Sequence, residues 1–150
     1  MDGTIAMNQI GQISMKAVLL GTLVDIGGTG LASVVIATIV GVILALLGVS
    51  EAEVDARLIQ SYAFLIGGLI VGLGFTFLGG LVAARLAKAA KIMHSSAVGV
   101  IGLLLALVFY SPMDFGAYPL WYRLTALILM IPIATLGGYI AEKTREEVSV

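Results

Sequence analysis

The sequence predicts an all-α fold, an integral membrane four-helix bundle built from two helical hairpins. Four long apolar stretches lie near residues 17–48, 60–84, 95–110 and 119–141. A bilayer core about 30 Å thick needs roughly 20 helical residues, and backbone groups inside it must find their hydrogen bonds within the helix. Residues 1–150 are therefore interpreted as a single transmembrane domain with four spans.

The composition supports lipid as the solvent and excludes several classes of function. The chain is 60% hydrophobic and 11% charged, whereas soluble domains carry about 45–50% apolar and about 25% charged residues. It has no cysteine and one histidine, His94, so we expect no metal site and no cofactor. No basic stretch resembles a nucleic-acid footprint. No nucleophile–base pair or paired-carboxylate site can be assembled, so we do not expect an enzyme.

The basic residues predict the topology. Six of them fall on one side of the four spans and two on the other; the six are Lys16, Arg85, Lys88, Lys91, Lys143 and Arg145, and the two are Arg57 and Arg123. The positive-inside rule then places both termini in the cytoplasm. The predicted location is the inner (cytoplasmic) membrane of the cell, as a multi-pass protein.

The first stretch is too long for a signal-peptide core and also exceeds the bilayer. Roughly 32 residues give about 48 Å of helix at 1.5 Å per residue. Either one long helix is tilted or kinked, or the helix breaks at Gly27–Gly30. We favour one long helix.

Asp25 is the most informative residue of this stretch. It lies about 13 Å beyond Lys16 along a helix, where an isolated carboxylate costs about 2.5–3.5 kcal/mol on insertion scales. One hypothesis is a cation or proton site formed with Thr22 and Thr29. The alternatives are that Asp25 caps the true start of the span, or that it makes a buried structural hydrogen bond.

A possible capping box, Ser50 and Glu53, lies ahead of the second stretch and would start a helix that runs out of the loop into it. This pattern predicts a helix that continues unbroken to about Lys91. Small residues spaced four apart mark a helix-packing stripe here and in the fourth stretch, because close backbone approach supplies the attraction between helices in lipid. The alternative is chance, because glycine and alanine are abundant in membrane helices. The predicted packing residues are Gly68, Gly72, Gly79, Gly80, Ala83, Gly137, Gly138 and Ala141.

The segment between the second and third stretches is basic. Arg85, Lys88 and Lys91 are candidates for binding anionic lipid headgroups, and the alternative is that they only determine topology. His94 opens the third stretch, where we expect it to cap a helix or to lie at the membrane interface.

The fourth stretch contains Pro132, which predicts a kink, and it ends like the second. Residues 77–85 and 135–143 share the pattern x-L-G-G-x-[VI]-A-x-[RK]. This similarity suggests two hairpins related as parallel repeats. Convergence on a common way of leaving the membrane is the alternative.

These helix ends, the Lys-Ile-Met-His-Ser-Ser-Ala-Val-Gly start of the third stretch and Leu-Val-Asp-Ile-Gly-Gly-Thr in the first support a family resemblance. Over residues 16–143 the chain resembles an uncharacterised group of small prokaryotic four-helix membrane proteins with LGG[YL][IV]Ax[RK] helix-end motifs. The resemblance implies a fold and a membrane location. It implies no activity and no site residues.

The leading functional interpretation is non-catalytic: a small polytopic protein that packs as a homo-oligomer or as an accessory subunit of a larger membrane complex, in contact with membrane lipid. The alternative is a small channel or secondary transporter that moves a cation or proton through Asp25.

Overall fold

The computed structural model describes residues 14–109 and 117–148. In chain order these ranges contain α1 (Met15–Leu46), α2 (Glu51–Gln60), α3 (Tyr62–Leu86), α4 (Lys91–Phe109) and α5 (Leu120–Val148). All of these except α2 contain a segment long and apolar enough to cross a membrane. The chain is thus an all-α, small multi-pass membrane protein, with the four long helices packed as a bundle.

Helix α1 is continuous from Met15 to Leu46, so the prediction of one long first helix is confirmed. It begins after Ser14, whose hydroxyl accepts a hydrogen bond from the Ala17 backbone N–H at 3.4 Å. It runs through the Gly27–Gly30 segment without a break. Its end follows a common pattern, because Gly48 adopts a φ of +80° just beyond the last turn. At 32 residues, α1 is about 48 Å long.

The prediction of one unbroken helix from the loop to Lys91 is wrong. Helix α2 stops at Gln60, and Ser61 adopts an extended conformation (φ −79°, ψ 108°). The Ser61 hydroxyl then accepts from the Phe64 N–H at 3.3 Å and starts α3, because a serine side chain can replace the helical hydrogen bonds at a boundary. Ser50 precedes α2 without a side-chain capping bond, so the predicted capping box does not form.

The long helices alternate in direction, and side-chain contacts fix which ends meet. The start of α1 meets the start of α4, where the Ser14 N–H lies 2.8 Å from His94 Nε2. The start of α4 meets α5, where Lys91 Nζ donates to the Ala141 carbonyl at 3.3 Å. We call this end of the bundle, which also holds the end of α3, the basic end. At the opposite end, the Tyr62 ring stacks on Trp121 with centroids 6.0 Å apart.

The core consists mainly of small side chains and of backbone. Helices α1 and α3 cross where a Cβ at Gly21 would lie 2.5 Å from the Gly79 carbonyl oxygen, and a Cβ at Gly79 would lie 2.6 Å from that of Gly21. Helices α3 and α5 cross where a Cβ at Gly80 would collide with the Ala134 carbonyl. Such close backbone approach supplies dispersion contacts that lipid-exposed helices lack.

The paired glycines of α3 and α5 do not occupy equivalent places. In α3, Gly79 faces α1 and Gly80 faces α5. In α5, the first glycine, Gly137, faces the Phe77 carbonyl of α3, and the second, Gly138, faces the Ser95 side chain of α4. The two motifs therefore present opposite members to the neighbouring hairpin. The parallel repeat stays a prediction.

Candidate functional site

Asp25 lies inside the bundle rather than at a helix start. It is ten residues into α1, about 15 Å from its beginning, and only 5% of it is exposed. The cap of α1 is Ser14. The alternative that Asp25 caps the true start of the span is therefore wrong, and its burial needs another explanation.

Thr76 of α3 supplies the hydrogen bond that Asp25 makes. Its hydroxyl donates to Asp25 Oδ1 at 2.8 Å, and both groups are buried. The same hydroxyl lies 3.2 Å from the Gly72 carbonyl one turn earlier, but it has only one hydrogen to give. The shorter distance favours the carboxylate. The buried structural hydrogen bond that the sequence left as an alternative is thus present, and it occupies one of the two carboxylate oxygens.

The second oxygen of Asp25 faces α4 at a glycine. A Cβ at Gly102 would lie 3.2 Å from Asp25 Oδ2 and 3.2 Å from Met130 Sδ of α5. On the α3 side, a Cβ at Gly79 would lie 2.9 Å from the Asp25 Cβ. No residue in the described ranges donates a hydrogen bond to Oδ2. Backbone and a thioether, rather than polar side chains, therefore surround this half of the carboxylate.

The hydroxyls of Thr22 and Thr29 are buried without a hydrogen-bond partner among the described residues. They lie three residues before and four residues after Asp25, which places all three on one face of α1. Other threonines in these helices behave differently and donate to the carbonyl four residues earlier; they are Thr38, Thr125, Thr135 and Thr144. A buried hydroxyl without a partner costs about 1–3 kcal/mol. Thr22 and Thr29 therefore leave hydroxyl groups available to a bound species.

The groups around Asp25 define the chemistry that the site can perform. They are one carboxylate and neutral hydroxyl oxygens, with a thioether at the edge. Among the described residues, no group of three or more His, Cys, Asp or Glu side chains could hold a metal ion. Hard oxygen donors with one negative charge suit a proton or a small monovalent cation better than a transition metal.

His94, which we expected to cap a helix or to lie at the membrane interface, is a second buried polar group. It is completely buried, and its Nε2 accepts from the Ser14 N–H at 2.8 Å. Its Nδ1 lies 2.8 Å from the Ala90 carbonyl. Since a backbone N–H can only donate, Nε2 is the unprotonated nitrogen, and Nδ1 carries the hydrogen that bonds Ala90. His94 of α4 thus caps the start of another helix, α1.

The remaining predicted residues divide into tightly and loosely packed positions. Gly79, Gly80, Gly137 and Gly138 lie where any side chain would collide with a neighbouring helix, and Ala83 and Ala141 are buried. Gly68 and Gly72 are packed more loosely. A Cβ added at Gly68 would lie 3.5 Å from Tyr122 Oη, and one added at Gly72 would lie 3.8 Å from Thr29 Cγ2, which are ordinary contact distances. Arg85 and Lys88 are exposed at the basic end, whereas Lys91 is engaged with Ala141.

Thr76 is the residue of this site that the sequence interpretation missed. The available signal was a hydroxyl in the middle of an otherwise apolar second stretch, two residues after Gly74. No family model, curated protein or solved structure matches this chain in the comparisons.

Proposed function

We propose that this small multi-pass membrane protein takes up a proton or a small monovalent cation at Asp25, with Thr22, Thr29 and Thr76 as its polar surroundings, and serves as a non-catalytic channel or transporter. The observation that carries the proposal is the pairing of a buried carboxylate with two buried hydroxyls that have no hydrogen-bond partner in the described part of the chain. Such groups are costly in a bilayer and most often mark a pathway for ions or protons.

Charge balance favours a monovalent species. The carboxylate carries at most one negative charge, and no Lys, Arg or His side chain among the described residues forms an ion pair with it. One proton, or one Na⁺-like ion held by Asp25 with threonine hydroxyls, would neutralise the site. A divalent cation would leave an excess positive charge in hydrocarbon.

The packing around Asp25 supports exchange of the bound species. Apart from Thr76, which binds Oδ1, the residues of α3 and α4 that face Asp25 are Gly79 and Gly102, and neither carries a side chain that could cover Oδ2. Asp25 is also the last buried residue along α1. A small outward movement of α1 at this level would therefore expose Oδ2.

The test is transport by the purified protein in proteoliposomes with an imposed membrane potential. Proton entry is followed with an internal pH dye, and sodium entry with radioactive Na⁺. We expect one of the two signals from the wild-type protein and its loss in Asp25→Asn, which keeps the size of the side chain but cannot carry the charge. Thr22→Val should reduce the rate if its hydroxyl contacts the ion.

The matched control is Glu53→Gln, which removes an acid from an exposed surface pair with Arg57. Its transport should equal that of the wild-type protein. Transport that survives Asp25→Asn unchanged, or a wild-type protein that moves neither ion, would reject the proposal.

A second candidate function is assembly as a homo-oligomer or as an accessory subunit of a membrane complex. The observation in its favour is the outer part of α1, where Leu31 and Leu46 are 72% and 82% exposed. The tight glycine positions do not add support, because Gly79, Gly80 and Gly137 are already in contact with helices of the same chain.

Native mass spectrometry of the protein extracted in mild detergent tests this second candidate. A dimer, a higher oligomer or a constant copurifying subunit would support it. A strict monomer at every concentration and in every detergent would reject it.

A further inference from the structure

The fold brings a basic residue from α1 to the end of the bundle where α3 finishes. Helices α1 and α3 are antiparallel and cross at Gly21 and Gly79. Lys16 lies five residues before the first of these and Arg85 six residues after the second. At 1.5 Å per residue, both are about 8–9 Å from the crossing, at a similar height. The lipid-binding residues predicted from the sequence were Arg85, Lys88 and Lys91, and Lys16 was assigned only to the same side of the membrane.

The cations at the basic end fall into two kinds. Lys16, Arg85 and Lys88 are exposed, and none of them has a hydrogen-bond or ion-pair partner among the described side chains. Lys91 is only partly exposed, and its Nζ donates to the Ala141 carbonyl of α5 at 3.3 Å. The first three are available to an external group, whereas Lys91 is part of the contact between α4 and α5.

Within residues 14–109 and 117–144, little negative charge opposes these cations. Among the side chains that the structure describes at this end, Lys16, Arg85, Lys88, Lys91 and Lys143 face a single carboxylate, Glu142. Helix α3 stays apolar up to Arg85 in its last turn, which places the guanidinium where a span meets the headgroup layer. Long basic side chains reach this layer with their stems on apolar surface.

We propose that Lys16, Arg85 and Lys88 form a binding surface for the phosphate of an anionic membrane lipid, and that Lys91 instead fastens α4 to α5. The guanidinium of Arg85 can hold two phosphate oxygens at once, and the two ammonium groups add point charges beside it. This surface is independent of the Asp25 site, since it lies at the end of the helices and shares no residue with it.

The experiment titrates short-chain phosphatidylglycerol into the detergent-solubilised full chain and counts bound lipid by native mass spectrometry. Short-chain phosphatidylcholine, which is zwitterionic, is the comparison. We expect tighter binding of phosphatidylglycerol and weakening by about fivefold for each cation removed, since a basic residue near an anionic lipid contributes about 1 kcal/mol. The triple variant K16Q/R85Q/K88Q should then bind about a hundredfold more weakly.

Two control variants separate this surface from general effects of charge. Arg57→Gln removes an exposed cation at the opposite end and should leave lipid binding unchanged. Lys91→Gln should also leave binding unchanged but should lower the melting temperature, because it removes a contact between two helices. The single variant Arg85→Gln, with the melting temperature measured alongside, gives the answer if the triple variant does not fold.

Three results would overturn the proposal. One is equal binding of the two lipids by the wild-type protein. Another is a loss in Arg57→Gln or Lys91→Gln as large as that in Arg85→Gln. The third is complete competition by millimolar inorganic phosphate, which would assign the surface to a soluble anion.

Discussion

The two halves of α1 have similar apolar character and opposite surroundings. Residues 15–29 contain every buried position of the helix, namely Ala17, Val18, Gly21, Thr22 and Asp25. Residues 30–46 contain none, and Val34, Ile39 and Leu46 are each more than half exposed. Hydrophobicity therefore does not decide which half packs. In lipid, an exposed Leu or Val is already in a suitable solvent, so it gains little from contact with another helix.

Close backbone approach is what distinguishes the two halves. Gly21 meets the backbone of α3, and Gly28 lies against the Phe75 ring, so neither site has room for a side chain. Among the described residues, no atom outside the surrounding turns of α1 lies within 4 Å of where a Cβ at Gly30 or Gly41 would be. The presence of a glycine in a membrane helix therefore does not by itself identify a packing position; only the glycines that a second helix contacts are packing positions.

Polar groups follow the same division. In residues 15–29, the packed half, Asp25 is hydrogen-bonded to Thr76 of α3, and the Thr22 hydroxyl has no partner among the residues that the structure describes. In residues 30–46, the outer half, the Thr38 hydroxyl donates to the carbonyl of Val34 in its own helix at 2.7 Å. A hydroxyl that is hydrogen-bonded within its own helix can face lipid, whereas a carboxylate needs a hydrogen-bond partner from another helix of the bundle.

The largest effect should come from adding a side chain at Gly21. Gly21→Leu forces a Cβ to within 2.5 Å of the Gly79 carbonyl oxygen and 2.8 Å of the Ala83 Cβ, so α1 has to leave α3. Overpacking usually costs about 1–3 kcal/mol, and we expect more than about 3 kcal/mol here because the obstacle is backbone. Denaturation by sodium dodecyl sulfate, followed by circular dichroism, measures the free energy of unfolding.

The matched variant is Gly41→Leu, in the outer half of the same helix. It should change stability by less than about 0.5 kcal/mol, or raise it slightly, because leucine is a better helix former than glycine. Equal losses of unfolding free energy in the two variants would show that the two halves of α1 are packed alike and would contradict the division of this helix.

A smaller but still large effect is expected at His94, which fastens the start of the packed half. His94→Phe keeps an aromatic ring in the buried space and removes the acceptor for the Ser14 N–H. This donor is partly buried, and leaving a buried donor without its partner costs about 1–3 kcal/mol. Hydrogen exchange at residues 14–18 should accelerate, while exchange at residues 35–45 should not change. Faster exchange in both segments would mean that His94 supports the whole helix.

The four long helices could be predicted from the sequence because length and hydropathy alone determine which segments suit a bilayer. The break at Ser61 could not be predicted, since it depends on whether the Ser61 hydroxyl caps a new helix or the backbone simply continues the preceding one. The candidate site was predicted in part. Asp25, Thr22 and Thr29 lie on one helix face by spacing alone, but Thr76 and Gly102 join them only through the packing of α3 and α4.

The hydrogen bond from Thr76 to Asp25 gives the third prediction. Thr76→Val is close in shape and removes the donor at 2.8 Å. Hydrogen bonds between membrane helices average about 0.6 kcal/mol, and the buried carboxylate left behind raises the expected loss to about 1 kcal/mol. Thr38→Val in the outer half removes a bond within one helix and should change the free energy of unfolding by less than about 0.3 kcal/mol. A larger loss at Thr38 than at Thr76 would contradict the division of α1.

The smallest effect is expected from truncating the outer half of α1. Val35 is 56% exposed, and Val35→Ala removes two methyl groups that face lipid in the monomer. Because lipid tails are as apolar as valine, the free energy of unfolding should change by less than about 0.5 kcal/mol. The loss at a buried aliphatic residue is larger, since truncation leaves a cavity there; Val98→Ala, at a fully buried position of α4, provides that comparison. If Val35→Ala instead costs as much as Val98→Ala and the cost grows with protein concentration, a second copy covers the outer half, because only association makes stability depend on concentration.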